Sequence, residues 1–537
     1  MAPQKRAVSD KRAATTKATN AKVNGAKKPT AKKSTNQDKS SSRRATKRPR
    51  KDDEEDAPNA TRQKKPRTLD TVSGPARGRK ATAPSAKTKA ETQATAPASP
   101  PAPIINSRPT QLLNVYVFGE GRFGELGLGN QKHDGKKPIN VKRPRINHNL
   151  LADVVGVVQV ACGGMHAVAL TADNKILTWG VNDLKALGRE PVFEDPGSDA
   201  DDDDEDAAYK GIDFGESTPG EVDLSSLSEV PQFVQVAATD SASFALTDTG
   251  DVYGWGTFRG SDGVLGFTKD IHIQPTPMKV AGLKAITSLA AGKDHMLALD
   301  KDGKVFTWGN GGEYQLGWKP ASRHSGPKAT LEPHVCGRFT KHKYAVKIAA
   351  GSYHSFYIDN HGKLWAWGLN NFAQTGHPDN AGRDGAIVTT AKAVKALRDH
   401  EVVHVDGGQH HSAACTADGK LFIWGRIDSH QVGLPSEAFT EENSIMENGK
   451  PRILVTPTII PDIPTSFVAV NTDTTIAITP EGKAFSWGFS ANYQTGLGTD
   501  EDVETPTLID NTAVRGEKLV WAGAGGQYSV LASVAED

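Results

Sequence analysis

The sequence predicts an all-β chain, a seven-bladed β-propeller closed by joining its N- and C-terminal segments and preceded by a disordered basic tail. Three observations carry that prediction. An aromatic-Gly pair followed by a short variable stretch and a final glycine occurs seven times. A short turn leading into an alternating apolar segment also occurs seven times, with glycine in the turn in five of them. The repeat region opens on one of these halves and finishes on the other, so the two loose ends make one blade between them. Self-similarity at a fixed period is the signature of such architectures.

Taken in chain order, the aromatic half reads FGEGRFGELG from residue 118, WGVNDLKALG from 179, WGTFRGSDGVLG from 255, WGNGGEYQLG from 308, WGLNNFAQTG from 367, WGRIDSHQVG from 424 and WGFSANYQTG from 487. The turns TADNK, TDTGD, DKDGK, DNHGK, TADGK and TPEGK place Asp, Asn or Gly where a tight hairpin needs positive φ. Segments such as PINV, PTPMKV and PTLID after the aromatic half supply a fourth strand. The tail is assigned to residues 1–108 and the propeller to 109–537, with a disordered acidic insert at about 190–228. Within that insert, SDADDDDED (198–206) lacks the Gly turn and terminal Glu of a calcium loop, and no metal site is assigned.

The third aromatic half differs from the others. In six copies the last glycine follows the aromatic by nine positions, and in this one by eleven. The extra residues are expected to bulge from the face as a hairpin around Phe258, Arg259, Gly260, Ser261, Asp262 and Gly263.

Comparing the seven copies separates what the blade requires from what is free to act. Recurring tryptophans and glycines belong to the blade. One slot is read as holding His166, Ala242, His295, His354, His410, Thr474 and Tyr528. A shared histidine there suits a bond to the neighbouring strand, yet these turns all open on one face. Nearby departures are Asp240 in place of a turn glycine, and Asp294 and Asp473 before the slot. Carboxylates at a rim cost desolvation unless they meet a cation or a donor.

Charge is segregated along the chain. Residues 1–100 hold 26 Lys and Arg against 9 Asp and Glu, and the other 437 hold 38 against 54. The tail is rich in Ala, Lys, Thr, Ser and Pro, which cannot bury enough apolar surface to order it. Two clusters, Lys47, Arg48, Arg50, Lys51 and Lys64, Lys65, Arg67, have the spacing of a bipartite nuclear localisation signal for an import receptor. Further cations, among them Lys5, Arg6, Lys11, Arg12, Arg43 and Arg44, suit DNA phosphates. No apolar run of about 18 residues and no apolar leader occurs, so a soluble, intracellular, nuclear protein without a membrane partner is expected. Cys162, Cys336 and Cys415 form no CxxC pair and are read as small buried apolar groups.

The repeat resembles that of the regulator of chromosome condensation family over residues 112–534, and TFRGSDG, GGQHHS and the basic tail extend the likeness. The resemblance implies guanine-nucleotide exchange on a Ran-type small GTPase, with no covalent chemistry and no cofactor beyond the partner's GDP, GTP and Mg²⁺. It implies that residues 258–263 form a wedge against the GTPase, and that Asp240, Asp294, His410 and His411, with His166 and His295, lie on the GTPase-facing side. It also implies chromatin attachment, the tail on DNA and a basic loop such as the Arg323 and Lys328 segment on the acidic histone surface. Arg122 and Tyr528 depart from the family pattern and receive no role. Two alternatives stay open from the residues: a chromatin-associated interaction scaffold without exchange activity, and an enzyme using rim His and Asp. The latter finds no nucleophile elbow, phosphate-loop or HExxH motif to support it.

Overall fold

The computed structural model describes residues 103–192, 209, 211–320 and 326–536. The two localisation clusters, the tail cations, the acidic run 198–206 and Arg323 lie outside the described residues.

Seven antiparallel sheets of four or five strands follow one another around an axis. Blade 1 contains Leu519–Ala524, Tyr528–Val534, Leu113–Gly119 and Val141–Ile146, so its strands come from both ends of the chain. Leu113 to Gly119 pairs residue for residue with Val534 to Tyr528, which closes the ring and removes two sheet edges. Blades 2 to 7 begin at Val157, Phe233, Ile286, Ala345, Val402 and Phe467. The innermost strands line an axial channel of about 440 Å³.

The turn chemistry explains the strands. Between the second and third strands of blades 2 and 4, Asn174 (φ 72°) and Gly303 (φ 76°) take the left-handed conformation, as the TADNK and DKDGK turns predict. Six tryptophans, Trp179, Trp255, Trp308, Trp367, Trp424 and Trp487, are buried between blades. Five of them donate Nε1–H to a carbonyl in the preceding blade's aromatic half, for example Trp367 to Gln315 O at 2.8 Å and Trp424 to Gln374 O at 3.0 Å.

Two boundaries differ from expectation. Asn106, assigned to the tail, donates its amide to Thr247 O (2.9 Å) and Ile286 O (2.8 Å), and Ile105 N–H bonds Asp248 O. Two backbone carbonyls satisfied by one side chain fix this segment against blades 3 and 4. The second half of the acidic insert is also built. Asp213 caps a helical turn, Phe214–Ser217, and Gly220–Glu221 forms the outer strand of blade 2. Half-buried Arg189 gathers Thr178 O, Gly215 O and Thr218 O at 2.8–3.1 Å, which composition alone did not reveal.

Candidate protein-binding face

Between the first and second strands of every blade, a tight turn closes at one end of the ring, its first residue donating N–H to the carbonyl three residues on, as Gly292 does to His295 and Gly408 to His411. Strand register then defines equivalent positions. His166, Ala242, His295, His354, His411, Thr474 and Tyr528 each face the glycine of an aromatic-Gly pair. The slot in blade 6 is therefore held by His411, not His410. Because GGQHHS carries two adjacent histidines and two adjacent glycines, spacing alone left the register one residue off. His410 instead occupies the outward turn position shared with Asp294, Tyr353 and Asp473.

The slot histidines do not reach the surface. His166, His295, His354 and His411 are all buried, and each Nε2 lies 2.8–2.9 Å from a hydroxyl of the next blade: Ser243, Ser355, Ser412 and Thr475. Those hydroxyls in turn donate to the carbonyls of Ala186, Gln315, Gln374 and Gln431. Desolvation lowers the pKa of His166 to about 4 and of His295 and His411 to about 3, so the rings are neutral. The expected partner contacts at His166, His295 and His411 are corrected accordingly, and these residues tie blade to blade. Tyr528 does the same by another route, its hydroxyl donating to His166 O at 2.7 Å.

The longer third copy is a two-stranded hairpin, Phe258–Gly260 against Gly263–Gly266, with Ser261 and Asp262 at its tip. Gly263 has φ 108°, a conformation open to glycine and strained for other residues. Arg259, Ser261 and Asp262 are exposed. Phe258 is not: it is fully buried, stacked with Phe244 (5.9 Å) and Phe267 (6.3 Å). Its assignment to the partner surface is corrected to an anchor that roots the hairpin in the blade.

Beside the hairpin, Asp294 Oδ1 accepts the N–H of Arg259 at 3.0 Å. Asp240 lies 3.5 Å from Lys293 Nζ, and its backbone N–H bonds Lys293 O. Burial raises both carboxyl pKa values, and Asp240 adds to the rise at Asp294, which reaches about 6. These groups border a cleft of about 830 Å³ that also takes in Ser261, Asn310, Glu313, Tyr353 and Asn371. Two blades on, the His410 ring lies 4.7 Å from Phe372, with a pKa lowered to about 4 by burial and by Arg426. His410 Nδ1 has no hydrogen-bond partner among the described residues. Next to it, Asp473 accepts from Gln431 Nε2 at 2.9 Å. The arrangement offers partly or fully buried carboxylates, a neutral imidazole and a projecting hairpin.

Sequence reasoning missed Lys293, Tyr353 and Asn310. Correct register of the seven turns was the signal that could have found the first two, because Lys293 stands where another copy has Gly164.

Comparison with known proteins fits this layout. A family model described as an RCC1-like domain matches residues 114–531. The chain belongs to the RCC1-like family. Among relatives of this family, the Schizosaccharomyces pombe protein pim1 is 41% identical over 434 residues, covering 80% of this chain and 76% of the relative. The Saccharomyces cerevisiae guanine nucleotide exchange factor SRM1 is 40% identical over 438 residues, covering 79% and 88%. A crystal structure of Saccharomyces cerevisiae Prp20p, described with its binding properties to Gsp1p and histones, superposes with a TM-score of 0.70 at 37% identity over 80% of this chain and 92% of that one. A structure of Kap60 bound to yeast RCC1 (Prp20) gives a TM-score of 0.71 at 35% identity, covering 84% and 97%. The RCC1-like architecture confirms the seven-bladed, all-β expectation in full.

Proposed function

We propose that this chain is a guanine-nucleotide exchange factor for a Ran-type small GTPase, promoting GDP release and GTP loading at chromatin in the nucleus. The carrying observation is the hairpin at 258–266, rooted by Phe258 and held at Arg259 by Asp294, on the face where Asp240, His410 and Asp473 gather. A relative named as a guanine nucleotide exchange factor supports the reading.

The mechanism follows from linkage. Exchange requires no bond to be made or broken in either protein. If the propeller binds the nucleotide-free GTPase best, then by reciprocity it weakens nucleotide and nucleotide weakens it. The Arg259–Gly263 tip is an exposed hairpin projection suited to displacing a phosphate-binding loop. Asp240 and Asp294, costly to desolvate alone, gain when basic groups of the partner reach them, and the neutral His410 supplies a hydrogen bond without adding charge. The excess of GTP over GDP in the cell sets direction, so the chain needs no cofactor of its own. An acidic body steers a basic partner patch toward the face. Residues 47–67 then serve as the ligand of an import receptor, and the basic tail with the Arg323 and Lys328 segment as the contacts to DNA phosphates and acidic histone surface.

The test loads a Ran-type GTPase with fluorescent GDP and adds substoichiometric protein. Multiple-turnover acceleration of release is expected, with Asp240→Ala reducing it about tenfold or more at unchanged folding. Binding to the GTPase without acceleration would establish the scaffold reading instead.

A further inference from the structure

Among the described residues, blade 6 alone has five strands, and the extra strand belongs to a second hairpin. Ser444–Glu447 pairs with the start of Lys450–Ile460, and Asn448 (φ 52°) and Gly449 (φ 76°) make the two-residue turn such a hairpin favours. Register fixes how far it reaches. In blades 1, 3 and 7 the outer strand starts opposite the glycine of the aromatic-Gly pair, at Val141, Gln274 and Val503. In blade 6 that level is Leu454, opposite Gly425, and the strand starts four residues earlier, at Lys450. At about 3.3 Å per residue, the hairpin extends roughly 13 Å past the rim that carries the candidate face. It stands three blades from the hairpin at 258–266, across the axis of the ring.

Contacts tie this hairpin to the site already described. The Arg452 guanidinium lies 5.5 Å from the centre of the Phe372 ring, Arg426 lies 5.5 Å from the same ring, and Phe372 packs 4.7 Å from His410. Both arginines have a carboxylate of their own, Glu447 at 2.6 Å from Arg452 and Asp428 at 2.9 Å from Arg426. Beside the hairpin opens a cleft of about 1170 Å³ with Leu434, Pro435 and Phe439 as apolar wall, reaching Glu504 and Thr505 on the outer strand of blade 7. Glu437 and Glu504 line it and are exposed, so with the two pairs set aside the lining charges are two carboxylates against one lysine, Lys450. Asp500, Glu501 and Asp502, also exposed, precede Glu504 on the same rim. An apolar cleft with surplus negative charge, continuous with the candidate face, suits a protein segment that carries lysine or arginine next to an apolar side chain.

We propose that the blade 6 hairpin is a second arm for the GTPase of the proposed function, a reading on which this inference rests, and that the cleft beside it takes a basic segment of that GTPase. The two hairpins then hold one partner from opposite sides of the axis. The blade 3 hairpin acts on the nucleotide site, and the blade 6 arm supplies affinity that is the same before and during release.

Hydrogen exchange of the full chain, alone and with a nucleotide-free Ran-type GTPase, tests this directly. Slowed exchange is expected at the amides of 446–450 together with those of 259–263. Slowing at 259–263 alone would remove the second arm and leave the exchange reading standing, and slowing at neither would overturn both. Steady-state release of fluorescent GDP gives an independent readout. Glu437→Lys combined with Glu504→Lys should raise KM for the GTPase about tenfold while kcat changes by less than about twofold, as expected for uniform binding. Both positions are exposed, so the fold tolerates reversal. The control is Asp399→Lys with Glu401→Lys, two exposed acids between the outer strand of blade 5 and the first strand of blade 6, on the opposite rim. An unchanged KM in the cleft variant, or an equal rise in the control, contradicts the cleft as the contact.

Discussion

At the residue scale, the face separates into side chains that hold the ring and side chains free to act. His354 is buried with Nε2 on Ser412. His354→Ala should cost about 2 kcal/mol through the lost hydrogen bond and cavity, read as a lower melting temperature, with the exchange rate of folded protein unchanged. Asp294 should behave in the opposite way. Its folded pKa of about 6 lies above the unfolded carboxylate value of about 3.9, so the folded state binds the proton more tightly. Stability contributed by the protonated form is fully present below about pH 4 and is lost as pH rises through 6. Asp294→Asn should accordingly raise the melting temperature at pH 7.5, leave it unchanged at pH 4, and lower exchange activity. A melting temperature unaltered at both pH values would contradict the desolvated carboxylate. The positions of Asp240 and Asp294 on the turn rim were legible because they break a repeated pattern. The blade 6 slot was assigned to His410 and is held by His411, because a doubled histidine and doubled glycine conceal the register that only strand pairing reveals.

At the element scale, the extra two residues of the third copy were readable as a bulge, and the hairpin 258–266 has that form. What the sequence did not disclose was how the hairpin is rooted. In five other blades, the aromatic half offers a carbonyl to the next tryptophan. Here the next tryptophan, Trp308, instead meets Phe244 edge-on at 5.8 Å, within the cluster that buries Phe258. An aromatic root thus takes the place of a polar tie. Phe258→Ala should cost about 3–5 kcal/mol of local stability and loosen the hairpin, visible as faster amide exchange at 259–265. The ordered second half of the acidic insert escaped notice for a different reason. Its acid-rich composition masks a cap at Asp213 and the carbonyl cluster around Arg189, both of which depend on long-range geometry.

At the scale of the whole molecule, closure through the chain ends was legible from two unpaired half-repeats. A chain ending at Gly526 loses Tyr528–Val534 and with it seven residue pairings of blade 1. It should lose the cooperative unfolding transition and aggregate through the exposed edges, a result checked by calorimetry and light scattering. A closed ring also separates the repeat from its departures: the ties that recur fix seven turns on one rim, and the copies that differ place a hairpin, carboxylates and His410 there. On the proposed function, the longer copy is the exchange device. Its most direct test is release of fluorescent GDP from a Ran-type GTPase by the intact chain and by a variant lacking Ser261 and Asp262, which restores the length of the other six copies. The variant should keep its melting temperature and partner binding while acceleration falls by about 100-fold, or roughly 2.7 kcal/mol. Undiminished acceleration by the shortened chain would contradict it.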